Sequence, residues 1–261
     1  KKRFNFINSK FSDLENIHLP SSNIKGIIFD LGYSTNQIND LSKGISFNST
    51  GKLNMRMGIN KISAHDAIHK LSYESLWKIF KYYGDEKKSK IIAKKILQKR
   101  IKKNILTEDL VSITNSIKKK GKSKINNSTK VFQAIRIFVN EEISELVNGL
   151  INAYKILPIG GIIAVVTFHS LEDKIVKFFF KEYSEIKNSS RYLPNLKTSE
   201  KKFHLINKKP ILPSRDEILK NPPSRSAKLR CAKKISNNLD FNFFLEKFKY
   251  LTEIENLIRE I

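Results

Sequence analysis

The chain has 261 residues, 40% hydrophobic and 28% charged, which fits a globular protein with a core and excludes a disordered one. Lys plus Arg number 49 against 25 Asp plus Glu, a formal charge of +24, which favours a polyanionic partner because each cation set against a phosphate releases counterions. The single cysteine, Cys231, excludes an intrachain disulfide and a multi-cysteine zinc site. An AT-rich coding sequence would also raise Lys together with Asn and Ile, so the charge alone leaves two readings open. No apolar run approaches the roughly 18 residues of a membrane helix. The polar, basic start, Lys1 onward, has no apolar stretch of a secretory signal, so a cytoplasmic protein is expected.

In chain order, IKGIIFDLG (24–32) is a short apolar run closed by an acid and a glycine. It reads as a buried parallel strand ending at a functional loop. Residues 33–60, with Gly44, Gly51 and Gly58, read as a long polar loop. Helices follow from about 63 to 138. Leu76, Ile79, Phe80 and Tyr83 share one face, Ile91, Ile92, Ile96 and Lys99 belong to a basic helix, and Thr107 is placed to cap a third. KKKGKSKINNSTK (118–130) reads as a basic linker.

The clearest helix is 140–157, with Ile143, Leu146, Val147, Leu150, Ile151, Tyr154 and Leu157 in one stripe and Asn140 as its expected cap. Pro158 and Gly160–Gly161 stop it. IIAVVTF (162–168) is a second buried strand, and HSLED opens a Phe-rich helix. Residues 187–223 look irregular. AKLRCAKKI (227–235) alternates like a half-buried strand, and about 240–261 is a terminal helix. This alternation argues for an α/β sheet with a helical insertion. In such sheets ligands bind beyond the carboxyl ends of the strands, where Asp30 and His169 fall.

Four stretches carry a resemblance. They are GIIFDLGYSTNQIND (26–40) with KGISFNSTGKLNMRMG (43–58), FQAIRIFVNEEISEL (132–146), PIGGIIAVVTFHSLEDKIVK (158–177) and KPILPSRDEILKNPPSRSAKLRCAKK (209–234). In this order they resemble the RsmH family, also called MraW, whose members methylate small-subunit ribosomal RNA with S-adenosylmethionine. The resemblance implies a class I methyltransferase sheet at 1–47 and 136–261, with an inserted helical substrate-recognition domain at 48–135. It implies transfer of a methyl group to the N4 amine of a cytidine in the decoding region of 16S rRNA. Family cofactor contacts map to Phe11, Asp30 and Gln37. The family's glycine-rich loop ending in Gly-Gly-His is not found in this sequence, so an N-terminally truncated enzyme is expected. Its missing strands would leave an open sheet edge.

Asp30, His169 and Ser170 are the candidates for the reacting site, with Asp173 beside them; no general base is identifiable. Arg56, Gln133, Arg136, Asn140, Arg225, Ser226 and Lys228 are candidates for RNA contact, since Arg and Lys are the usual phosphate ligands. The basic helix 87–103 is a candidate docking surface. The partner expected is 16S rRNA or the small subunit, with no membrane, and either a monomer or a dimer. Two alternatives stay open: a catalytically inactive RNA-binding remnant, and a methyltransferase acting on another nucleic acid. HDAIH (65–69) resembles a zinc-protease helix but lacks an evident third ligand, so no metal is expected. NPPS (221–224) resembles an amino-methyltransferase motif but lies away from any strand end.

Overall fold

The computed structural model describes residues 4–17, 24–49, 51–117, 126–185, 201–238 and 240–261. In chain order the elements are β1 (Gly26–Asp30), α1 (Thr35–Asn39), α2 (Ala64–Lys70), α3 (Tyr73–Tyr82), α4 (Ser89–Arg100), α5 (Thr107–Ile117), α6 (Thr129–Val139), α7 (Glu142–Ile156), β2 (Ile162–Thr167), α8 (Ser170–Glu182), β3 (Phe203–Leu205), α9 (Arg215–Lys220), β4 (Lys228–Lys234) and α10 (Asn242–Glu255). Short 3₁₀ turns span Phe11–Asn16, Leu41–Lys43, Pro222–Ser226 and Asn256–Glu260. The chain divides into two compact units, Lys1–Gly32 with Glu145–Lys247 and Tyr33–Ser144 with Phe248–Ile261; the division passes through α7 and α10. No helix among the described residues is long and apolar enough to cross a membrane.

The first unit is α/β with a mixed sheet, ordered β1-β2-β4-β3. β1 and β2 run parallel, with Asp30 opposite Val166. β4 runs antiparallel to β2, with Lys228 opposite Thr167, and antiparallel to β3. The carboxyl ends of β1 and β2 and the amino end of β4 therefore lie at one end of the sheet. Among the described residues β1 is an edge strand, and its Ile28 is 76% exposed. Ile163, Val165, Ile175 and Phe179 are buried on the inner side. Phe179 is the hub of an aromatic cluster, with ring centroids 4.8 Å from Phe244, 5.4 Å from Phe203, 5.5 Å from Tyr183 and 5.6 Å from Phe241. Burying each such ring contributes about 1.5–3 kcal/mol.

The expected half-buried strand at 227–235 is β4, but it lies between β2 and β3, and Lys234 is only 2% exposed. Its ammonium donates to the carbonyls of Tyr154 (2.7 Å) and Leu157 (2.6 Å) and lies 4.4 Å from the Tyr154 ring. A cation so placed satisfies carbonyls left open at the end of α7. Burial lowers the Lys234 pKa. The irregular reading of 187–223 is corrected where it can be followed: β3, α9 and a 3₁₀ turn occupy much of 203–226, and residues 187–200 lie outside the described residues.

The second unit is helical. Leu76, Ile79, Phe80 and Tyr83 are buried on one face, as the spacing predicts. On α4, Ile92, Ala93 and Ile96 are buried, whereas Ile91 is 47% exposed because it lies about 100° round the helix from Ile92. Lys99 is not a free basic group: with Lys103 it holds Asp109, each at 2.8 Å. Thr107 is the first residue of α5, not its cap. Its hydroxyl donates to Gly51 (3.0 Å), and Asp109 accepts the Leu106 N–H. Residues 33–60 are not a continuous loop, since α1 forms on a Ser34–Gln37 capping box. Of the basic linker 118–130, residues 118–125 lie outside the described residues.

Asn140 ends α6 rather than capping α7. In the first turn of α7, the Ile143 and Ser144 amides donate instead to the two oxygens of Glu255, each at 3.0 Å. Glu255 comes from the far end of the sequence, so no local pattern announces it. Burial pushes its pKa up to about 8, against the hydrogen bonds that favour its ionised form.

Candidate functional site

At the shared sheet end of the first unit, β1 stops at Asp30, and Leu31 N–H donates to Val166 O at 3.2 Å. Gly32 then turns with φ of 92°, a conformation glycine adopts without steric cost, and the position of its missing Cβ lies 3.6 Å from the Phe168 ring. Asp30 is exposed, and its carboxylate has no hydrogen-bond or ion-pair partner among the described residues. It does not cap the following helix, because Ser34 does. An acid at a strand end with no structural task is a group available to a ligand.

Phe11 reaches the same strand from the 3₁₀ turn before it. Its ring meets Phe29 edge to face at 5.3 Å and remains 41% exposed. The turn is tied to α7 by Ser12, whose N–H and hydroxyl both donate to Glu145 at 3.0 Å, and by Asn152 Nδ2 donating to Ser12 O at 2.7 Å. Gly149 is the reason the turn can approach: a Cβ there would lie 2.9 Å from Phe11 Cβ and 3.2 Å from Phe29 Cε1.

On the neighbouring strand, β2 runs into His169, which caps α8. Its Nδ1 accepts from Glu172 N–H (3.4 Å), and Glu172 in turn accepts from the Phe168 and His169 N–H groups at 2.8 and 3.2 Å. This reciprocal box is a structural duty for His169. Its Nε2 is buried, 3.0 Å from Glu172 Oε1 without hydrogen-bond alignment. Ser170 is the first residue of α8 and exposed. Asp173 accepts from Arg230 Nε (2.8 Å) and Lys228 Nζ (3.0 Å), pinning α8 to β4. Burial alone would raise the Asp173 pKa, but the hydrogen bonds from Arg230 and Lys228 hold it below the usual carboxylate range.

Arg225 and Ser226 are exposed on the turn that leads into β4, so they stand at the same end of the sheet as Asp30 and His169. Lys228 is there too, but half-buried and paired. NPPS belongs to this turn; the hydroxyl of its buried Ser224 donates to Asn221 O at 2.7 Å.

The remaining candidates lie in the helical unit. Gln37 has both ends of its amide engaged: Oε1 accepts from Ser34 N–H and Nε2 donates to Met57 O, each at 2.9 Å. Arg136 is 7% exposed, forked onto Glu142 with two 2.8 Å bonds and lying 4.9 Å from the Tyr33 ring. Asn140 is 5% exposed; it accepts from Met57 N–H and donates to Met55 O, both at 2.8 Å. These groups shape the 55–60 segment from beneath. Gln133 is half-buried, and Arg56 is exposed with Nε donating to Asn54 (2.7 Å). In HDAIH, His69 Nε2 accepts from Ile105 N–H (3.1 Å) and Asp66 completes a capping box with Ser63, so the motif serves the helix.

The α/β unit thus presents a carboxylate without a partner among the described residues and a basic turn at one end of its sheet. Residues 1–235 match the MraW methylase family. Over 230 residues the chain is 41% identical to the ribosomal RNA small subunit methyltransferase H of Sinorhizobium fredii, covering 87% of this chain and 67% of that protein. The protein of the same name from Ehrlichia canis is 44% identical over 238 residues, 89% of this chain and 78% of its own. That of Caldicellulosiruptor saccharolyticus is 41% identical over 234 residues, 88% and 76%. The chain belongs to the MraW methylase family.

Proposed function

We propose that the protein transfers a methyl group from S-adenosylmethionine to the N4 amine of a cytidine in small-subunit ribosomal RNA, in the cytoplasm. The observation that carries this is the exposed, unpartnered Asp30 at the end of β1, in a chain of a methylase family whose relatives are named for that RNA. The reading includes a class I methyltransferase sheet, with the helical unit engaging the substrate.

The residues present fit the cofactor. Asp30 can accept from hydroxyl or ammonium donors, Phe11 offers a partly exposed apolar ring against Phe29 of the same strand, and Gly32 lets a ligand approach the backbone. Gln37 acts indirectly, holding the loop after β1 through Ser34 and Met57. The bound cofactor would supply a methyl group on a sulfonium. The protein's task is then alignment of the amine with that carbon, which can contribute about 7–11 kcal/mol. The cytidine must leave any stack to be reached, so a flipped base is the substrate form. Asp30 and the polar groups at His169 and Ser170 stand where such a base would enter, and Arg225 and Ser226 where its phosphates would follow.

Calorimetric titration of S-adenosylmethionine into the chain, followed by nucleoside analysis of treated small-subunit RNA, tests the reading. Binding at micromolar strength and the appearance of N4-methylcytidine are expected. A folded chain that binds RNA but neither takes up cofactor nor methylates would replace this reading with that of an inactive RNA-binding protein.

A further inference from the structure

The outer face of α3 in the helical unit carries a continuous row of aromatic rings and cations that the sheet-end site does not use. Lys90 Nζ lies 5.3 Å from the centroid of Trp77. Lys81 Nζ lies between two rings, 5.5 Å from Trp77 and 5.2 Å from Tyr82. Tyr82 meets Tyr250 edge to face at 6.0 Å. Tyr82 and Tyr250 are 37% and 43% exposed, Trp77 is half-buried, and Lys81 and Lys90 are exposed.

Three features select the partner. Exposed aromatic rings in a row are costly to leave in water unless something covers them. Among the described residues neither Lys81 nor Lys90 is ion-paired with a carboxylate; both rest near ring faces, which leaves their ammonium groups open to phosphate. Lys87, Lys88 and Lys94 are also exposed in this part of the sequence, while of the acids near them in sequence Glu74 pairs with Lys78 at 3.0 Å, Asp85 pairs with Lys130 at 3.3 Å, and Glu86 is buried and accepts the Lys88 N–H at 2.9 Å. A second copy of the chain would bring another charge of +24 to a basic face, so self-association is disfavoured. A duplex offers edges and phosphates but no free base faces, whereas an unpaired strand offers both phosphates and π-faces.

We infer that Trp77, Tyr82 and Tyr250, with Lys81 and Lys90, form a stacking platform for an unpaired stretch of RNA. The platform would hold the strand rather than the reacting base, and to that extent it rests on the RNA-methylation reading. It does not read sequence, because every base has a ring face to stack.

Trp77 is the single tryptophan of the chain, so its emission reports the platform directly. A short unstructured RNA oligonucleotide titrated into the full chain should quench that emission in a saturable, salt-sensitive way. A blunt RNA duplex should bind, by anisotropy, without quenching. Tyr82→Ala should weaken single-strand binding about tenfold, as for loss of one stacked base, in a protein still folded at the temperature of the titration. Lys81→Ala with Lys90→Ala should flatten the salt dependence. Single-strand binding without quenching, or unaltered by Tyr82→Ala, overturns the platform. So does a Tyr82→Ala variant whose change is in mass by light scattering, since the face would then join two copies. Methyl transfer to small-subunit RNA measured in parallel separates the two readings: transfer without quenching removes the platform alone, and quenching without transfer removes the methylation reading alone.

Discussion

The sheet end of the α/β unit and the interior of the helical unit both gather charged and polar side chains, but they treat them differently. In the helical unit, Arg136 is forked onto Glu142, Asn140 holds two loop groups, and Glu255 accepts two helix amides. Each is buried and each is answered by a partner. At the sheet end, Asp30 is exposed and unanswered, Phe11 shows part of its ring, and Arg225 and Ser226 stand in solvent. A buried polar group must be paired or it costs several kcal/mol, so pairing marks scaffolding. A polar group left unpaired at the carboxyl end of a strand has no structural reason to be there. That contrast separates residues that build the molecule from residues that meet a ligand.

The contrast can be broken by substitution. The largest effect is expected from Arg136→Ala, which leaves Glu142 charged and partnerless; a loss of about 3–5 kcal/mol in denaturant unfolding is expected, with little direct effect on cofactor affinity per folded molecule. Asp30→Asn should do the opposite. The melting temperature should hold while S-adenosylmethionine affinity by calorimetry falls by about tenfold to a hundredfold, as for a lost charge-assisted hydrogen bond. Equal losses of stability in both variants would dissolve the distinction.

Two smaller tests sharpen it. Lys234→Met removes the donor to the Tyr154 and Leu157 carbonyls and should cost about 1–3 kcal/mol in chemical unfolding. Gly149→Ala sets a methyl 2.9 Å from Phe11 Cβ and should cost about 1–3 kcal/mol or displace the Phe11 turn. In the second case cofactor affinity falls with it, read in the same calorimetric titration.

A pH test addresses Glu255, the buried carboxylate of the helical unit. Its pKa is about 8 in the fold against about 4.5 for an unburied glutamate, so between these the native state keeps a proton that the unfolded chain has released. Stability from this group is therefore present below about 4.5 and declines as pH rises toward 8. Burial outweighs the two backbone N–H groups that favour the ionised form. Glu255→Gln should remove the decline in melting curves taken across that range. A wild-type slope identical to the variant's would show that the carboxylate is ionised throughout.

Much of the fold was legible because its signals are local. The faces of α3 and α7 follow from helical spacing, and both strands follow from short apolar runs closed by Asp30 and by His169; the expected burial holds for β2 but not for β1, an edge strand among the described residues with only Phe29 buried. The placement of Asp30 at a strand end was legible for the same reason. What failed was capping: Thr107 and Asn140 have the right chemistry for N-caps, yet Thr107 lies inside α5 with its hydroxyl on Gly51 O, and Glu255 takes the α7 amides. Arg136 and Asn140 share a helical face with Gln133 as expected, but burial by the 55–60 segment and Glu142 was invisible from spacing alone. The Trp77–Tyr82–Tyr250 row could not be found in the sequence, because Tyr250 comes from α10, 168 residues after Tyr82.

The sequence by itself determined where strands and helices form, which faces are apolar, the family, and the acid at the end of β1. These depend on periodicity, turn residues and short motifs, all of which act within a few residues. Only the tertiary structure decided that β4 is inserted between β2 and β3 with Lys234 buried, that His169 is a helix cap, and that Asp30, His169 and Arg225 share one end of the sheet. Those outcomes turn on which distant groups satisfy each backbone amide and carbonyl, a competition settled by packing rather than by neighbours in the chain.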